Sequence, residues 1–88
     1  MEIIKCASAG TLESSDAYVE IEPATENICI SLESVVAKQF GEKIKSAVSE
    51  VLLENGVEAA NVRVVDRGAL ECVIRARVET AILRAKGE

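Results

Sequence analysis

The chain has no histidine and no tryptophan, and its only aromatic residues are Tyr18 and Phe40. Without histidine, Ser-His-Asp and Cys-His catalysis are excluded, and so are histidine-ligated zinc sites. Two aromatics cannot build a base-stacking surface or an aromatic cage for a quaternary amine. Cys6, Cys29 and Cys72 are odd in number and widely spaced, with no C-x-x-C, so neither a zinc ribbon nor a thioredoxin-type pair can form. They read as small buried or half-buried thiols of a reducing compartment, and a cytoplasmic location is expected. No metal site is expected. No segment approaches the roughly 20 apolar residues of a membrane span. Residues 1–10 hold one lysine and no long apolar run, and do not read as a signal peptide. Basic residues are also scarce. The 10 Lys+Arg against 15 Asp+Glu leave a net charge of −5, which argues against general nucleic-acid binding.

What remains is a chain of 88 residues, 49% hydrophobic and 28% charged. That composition folds rather than staying disordered, and the length suits one domain, residues 1–88, with a single core. A chain this small, acidic and free of histidine reads as a module that other proteins handle, not as an enzyme.

The first third alternates with a period of two. Ile3, Ile4 and Cys6 form a brief apolar stretch; Ala17, Val19 and Ile21 alternate with Tyr18, Glu20 and Glu22; Ile28, Ile30 and Leu32 alternate with Cys29, Ser31 and Glu33. This predicts antiparallel strands with one solvated face. Residues 23–27, opening on Pro23, read as a hairpin-type connection between the last two.

The period then changes. Val36, Phe40, Ile44, Ala47, Val48, Val51 and Leu52 recur every three or four residues, one face of a helix over about residues 34–55. Ser34 suits its N-cap and Gly56 the left-handed position after its end. Gly41 lies inside and weakens the helix by up to about 1 kcal/mol relative to alanine. Val62, Val64 and Val65 form a short strand with Arg63 outward, and Asp66 is placed to cap a second helix. Leu70, Val73, Ile74, Val78, Ala81, Ile82 and Ala85 put that helix over about residues 68–86; a strand through residues 72–74 is the weaker alternative. The expected fold is α+β, a mainly antiparallel sheet of about four strands packed against two amphipathic helices, in the order βββαβα. Phe40, Val36 and Val73 are expected in its core with Ile44, Val48, Val51, Ile74, Val78 and Ile82.

Residues 9–16, Ala-Gly-Thr-Leu-Glu-Ser-Ser-Asp, fit neither period. One reading is a surface loop whose serines and aspartate satisfy local backbone groups. The other is that Ser14 or Ser15 is a covalent attachment point, which must be exposed and adaptable. With no histidine base in the chain, chemistry at such a hydroxyl is done to it by another protein. Glu13 and Asp16 beside the serines read either as turn-forming, solvated acids or as marks recognised by a modifying enzyme.

Three segments in order, residues 9–16, residues 37–41 (Ala-Lys-Gln-Phe-Gly) and residues 66–77 (Asp-Arg-Gly-Ala-Leu-Glu-Cys running into Ile-Arg-Ala-Arg), resemble the acyl carrier family of citrate lyase, its gamma subunits. The resemblance spans nearly the whole chain. It implies that Ser14 carries phosphoribosyl-dephospho-coenzyme A through a phosphodiester, and that the thiol of this group bears acetyl or citryl thioesters while citrate is cleaved to acetate and oxaloacetate. It implies as partners the alpha subunit (acyl transferase), the beta subunit (citryl lyase), the cofactor-loading transferase and an acetate-thiol ligase. Glycine often follows the modified serine in that family, where this chain has Ser15. The four-helix acyl carriers of fatty-acid synthesis are a different solution, and their Asp-Ser-Leu is not present.

The related carrier of malonate decarboxylase and a non-catalytic α+β interaction module are the alternatives. Charge is uneven: residues 1–60 hold 11 acids and 4 bases, residues 61–88 hold 4 acids and 6 bases. The basic third, with Arg63, Arg67, Arg75, Arg77, Arg84 and Lys86, reads as a solvated helix face with a Glu71–Arg75 pair, or as a docking face for acidic surfaces.

Overall fold

The period-two segments at residues 17–22 and 28–33 become strands β2 (Ala17–Glu22) and β3 (Ile28–Ser34), while the first strand, β1 (Ala7–Gly10), lies beyond the expected stretch at residues 3–6 and takes in Ala9 and Gly10 of the segment that fits neither period. The 3.6-period segments become helices α1 (Ala37–Glu54) and α2 (Glu71–Ala85), and β4 (Ala60–Asp66) lies between them. The structure, a computed structural model, describes residues 2–86; Met1, Gly87 and Glu88 of the expected 1–88 domain lie outside the described residues.

The four strands form one mixed sheet in the order β1-β2-β4-β3. β1 pairs antiparallel with β2, and β2 antiparallel with β4, whereas β3 and β4 run parallel. This corrects the hairpin expected at residues 23–27: β2 and β3 are not neighbours. The reason lies in burial. Val62 and Val64 are buried against the helices and Val65 is buried on the other face. β4 holds four buried residues in its last five, Val62, Val64, Val65 and Asp66, and takes a central place between β2 and β3. A helix between two strands returns the chain parallel to its start, so α1 carries β4 back beside β3, on the side that separates it from β2.

Both helices pack on the core, α2 against β1 and β2, α1 against β3 and α2. Val19, Ile21, Val48, Leu52, Val57, Val78 and Ile82 are fully enclosed there. Each aliphatic side chain of this kind contributes roughly 1.5–3 kcal/mol by leaving water. α1 ends as its glycine predicts. Gly56 has φ +72°. Its N–H bonds the Leu53 carbonyl and that of Val57 the Leu52 carbonyl, the paired bonds of a Schellman ending with Val57 packed beneath.

Five further expectations are corrected. Phe40 is 46% exposed, and Val36 and Val73 are only half-buried. Phe40 is in phase with the buried stripe, but it sits in the first turns of α1, at the rim of an open recess of about 170 Å3 with Val36, Ile44, Ala69 and Ile74. Residues 3–6 are not a strand: Ile3 is buried, while the N–H groups of Ile4 and Lys5 bond the Ala85 carbonyl at the end of α2. Ser34 does not cap α1, whose N-cap is Val36, and α2 starts at Glu71 rather than near residue 68. Cys6, Cys29 and Cys72 are all exposed free thiols, at outward positions rather than in the core.

Candidate functional site

The segment with neither period crosses from β1 to β2 and folds into a tight turn. The Asp16 N–H bonds the Glu13 carbonyl (3.2 Å), which puts Ser14 and Ser15 at the corner. Ser15 has φ +65°, the only positive φ among the described residues other than glycine. A positive φ at the third residue of a turn favours glycine; Ser15 takes it at a steric cost of about 1–2 kcal/mol.

The turn is held from three sides. On the first, Gly10 opposes Tyr18 at the end of the β1–β2 ladder. Gly10 has φ +91°, and a side chain there would strike the Ala17 carbonyl, so the turn needs glycine at this point. On the second, the backbone of Arg67 extends the β2–β4 pairing: its carbonyl accepts the Ser15 N–H (2.8 Å) and its N–H donates to the Asp16 carbonyl (3.0 Å). On the third, Asp16 reaches α2. Arg77 donates from Nε to Asp16 Oδ1 (3.0 Å) and from Nη2 to Oδ2 (2.9 Å), a two-pronged pair. Thr11 Oγ1 also donates to Asp16 Oδ2 (2.6 Å), and the Ala17 N–H to Oδ1 (2.7 Å). The Arg77 fork, then the Thr11 hydroxyl and the Ala17 N–H, hold the Asp16 carboxyl far below the usual carboxylate range.

A second carboxylate organises the neighbouring chain. Asp66 is buried; its Oδ1 accepts the N–H groups of Gly68 and Ala69, and its Oδ2 the Ser34 hydroxyl. It therefore shapes the bend before α2 and ties the ends of β3 and β4, rather than capping the helix itself.

Ser14 is exposed. Its hydroxyl makes no hydrogen bond among the described residues. Asp16, two residues on, has both carboxylate oxygens committed to Arg77. Every buried polar side-chain atom among the described residues has a partner, and no group of three or more acidic or cysteine side chains among them is placed to hold a metal ion. A recess of about 540 Å3 lined by Cys6, Glu20, Cys29 and Arg63 lies at the far ends of the strands from Ser14. The Ser14 hydroxyl is thus exposed and unpaired on a turn held from three sides.

The comparisons with known proteins bear on the whole chain. It is 53% identical over 88 residues to the citrate lyase acyl carrier protein of Haemophilus influenzae (strain PittEE), covering 100% of this chain and 92% of that protein. It is 56% identical over 86 residues to the protein of the same name from Escherichia fergusonii, covering 97% and 89%. The citrate lyase acyl carrier protein 2 of Salmonella typhimurium gives the same 56% over 86 residues. The chain belongs to the citrate lyase acyl carrier family. Residues 4–85 of the carrier also match the family model described as malonate decarboxylase delta subunit (MdcD). Its fold is shared with a chain in the crystal structure of a Pseudomonas malonate decarboxylase hetero-tetramer in complex with malonate, with a TM-score of 0.80 at 22% identity, over 97% of this chain and 88% of that one.

Sequence reasoning singled out Ser14, Ser15, Glu13 and Asp16 together, and the structure brings all four into one turn. It missed the pairing of Asp16 with Arg77, 61 residues away, and the contribution of the Arg67 backbone. Both residues lie in segments that carry the family resemblance, but no local pattern tells which acid meets which base.

Proposed function

We propose that this chain, as one domain, is the acyl carrier subunit of a citrate-cleaving lyase complex, and that Ser14 Oγ is esterified to phosphoribosyl-dephospho-coenzyme A. The observation that carries this reading is the Ser14 hydroxyl, exposed and free of hydrogen bonds on a turn fixed by Asp16–Arg77. Ser14 is exposed and its hydroxyl unpaired, so the residues present fit a large group attached there. When bound, the group supplies a thiol that holds the acyl unit as a thioester. The chain's own residues do not enter that chemistry: Asp16, Arg77 and the Arg67 backbone hold the attachment point, and the compact body anchors the arm. Tethering keeps the acyl unit at high effective concentration near the active sites of partner subunits, an acyl transferase and a citryl lyase. The hard chemistry belongs to the group and to those subunits. A loading transferase and an acetate-thiol ligase prepare the carrier, and the exposed thiols suit a cytoplasmic setting. The malonate decarboxylase reading is favoured by the family model and the shared fold, but identity of 52–56% to citrate lyase carriers supports citrate.

The test is a complex reconstituted with Ser14→Ala. An exposed hydroxyl without partners contributes little to stability, within about 0.5 kcal/mol, so the variant folds, assembles and fails to cleave citrate. Full citrate cleavage by that complex contradicts the proposal.

A further inference from the structure

The basic residues of the last third are mostly occupied. Arg63 pairs with Glu20, Arg75 with Glu50 and Glu71, and Arg77 with Asp16. Arg84 donates to the Ser8 carbonyl. Arg67 is the exception. It is exposed, and its guanidinium has no partner among the described residues, although its backbone is bonded on both sides to the serine turn, to Ser15 and to Asp16. Those two bonds place its backbone directly against that of Ser15 and Asp16, the two residues that follow Ser14. The charges around the corner sharpen the point. Asp16 is neutralised by Arg77, and Glu13 is left as an exposed acid next to Ser14 without a counter-ion among the described residues. An anion fixed on Ser14 Oγ would be repelled by Glu13 and needs a cation close by.

We propose that Arg67 is a phosphate-binding residue, and that its guanidinium pairs with the phosphate group attached to Ser14. Its planar fork matches phosphate oxygens two at a time. The pairing offsets the repulsion from Glu13 and sets the direction in which the arm leaves the turn. This rests on Ser14 being the attachment point. It extends that reading, because attachment needs only the hydroxyl, whereas seating the first phosphate needs a particular side chain.

The probe is the full chain made with phosphoserine at position 14, titrated by 31P NMR at low salt, where its second ionisation lies near about pH 6. A cation beside the phosphate favours the dianion. The phosphoserine midpoint is therefore expected to be lower with Arg67 present than in Arg67→Gln by about half a pH unit. Arg67→Lys retains most of the difference, and high salt shrinks it. Arg63→Gln, the same change of charge in the middle of β4, where Arg63 pairs with Glu20, leaves the midpoint in place. In parallel, wild-type chain is loaded with the coenzyme-derived group and mapped by peptide mass spectrometry. An adduct on Ser14 with equal midpoints in wild type and Arg67→Gln overturns the Arg67 inference alone. No adduct on Ser14 overturns the carrier reading and this inference with it.

Discussion

Asp16 links the serine turn to α2 through both oxygens of its carboxylate. Because its folded-state pKa lies below the ordinary 3.8, the stability it contributes is present above that value and is lost as pH falls below it. Thermal unfolding followed from about pH 7 to about pH 2.5 checks this. Wild type is expected to be more stable than Asp16→Asn at neutral pH, and the two are expected to converge in acid. Parallel curves at all pH values contradict the assignment. Ser15 offers a second test at this scale. Its φ of +65° is tolerable for serine and a true outlier for a β-branched residue. Ser15→Gly is expected to stay within about 1 kcal/mol of wild type, whereas Ser15→Val is expected to cost about 1–3 kcal/mol in chemical denaturation.

At the scale of elements, α1 carries both a weak point and a limit to its sequence pattern. The weak point is Gly41, in the helix interior. A methyl group added there meets only Ala37 Cβ and Leu32 Cδ2, each at 3.9 Å, an ordinary contact. Gly41→Ala is therefore expected to raise stability by about 0.5–1 kcal/mol, read from the denaturation midpoint. Phe40 shows the limit of periodicity. Helical spacing tells which face a residue shares but not how far the partner element extends along it, and Phe40 lies where the cover runs out. Fully buried Leu52 lies near the other end of the same stripe. Leu52→Ala is expected to cost about 2–5 kcal/mol, and Phe40→Ala clearly less; equal losses contradict the exposure of Phe40. The strands give the matching lesson. Alternation in residues 17–22 and 28–32 marks them as strands, and the glycine ending of α1 is visible in its composition. The parallel pairing of β3 with β4 is not, because it joins residues 32 apart, as Ser34 and Asp66 are.

The whole molecule is a small body with one corner turned to a task. β1, β2 and the end of β4 meet at the Ser14 turn, and α2 braces it through Arg77. The serines are legible in the sequence as a segment that neither strand nor helix explains. Their bracing is not, since a salt bridge across 61 residues leaves no mark in local spacing. In the proposed function, the fixed corner is the rigid base and the unpaired Ser14 hydroxyl the point of attachment. The measurement that addresses this most directly is loading of wild-type chain in vitro with the transferase and the cofactor precursor, with peptide mass spectrometry of the segment over residues 9–16 as the readout. The account predicts a single coenzyme-derived adduct on Ser14, with Ser15 unmodified. An adduct mapped to Ser15, or to any residue outside the turn, contradicts it.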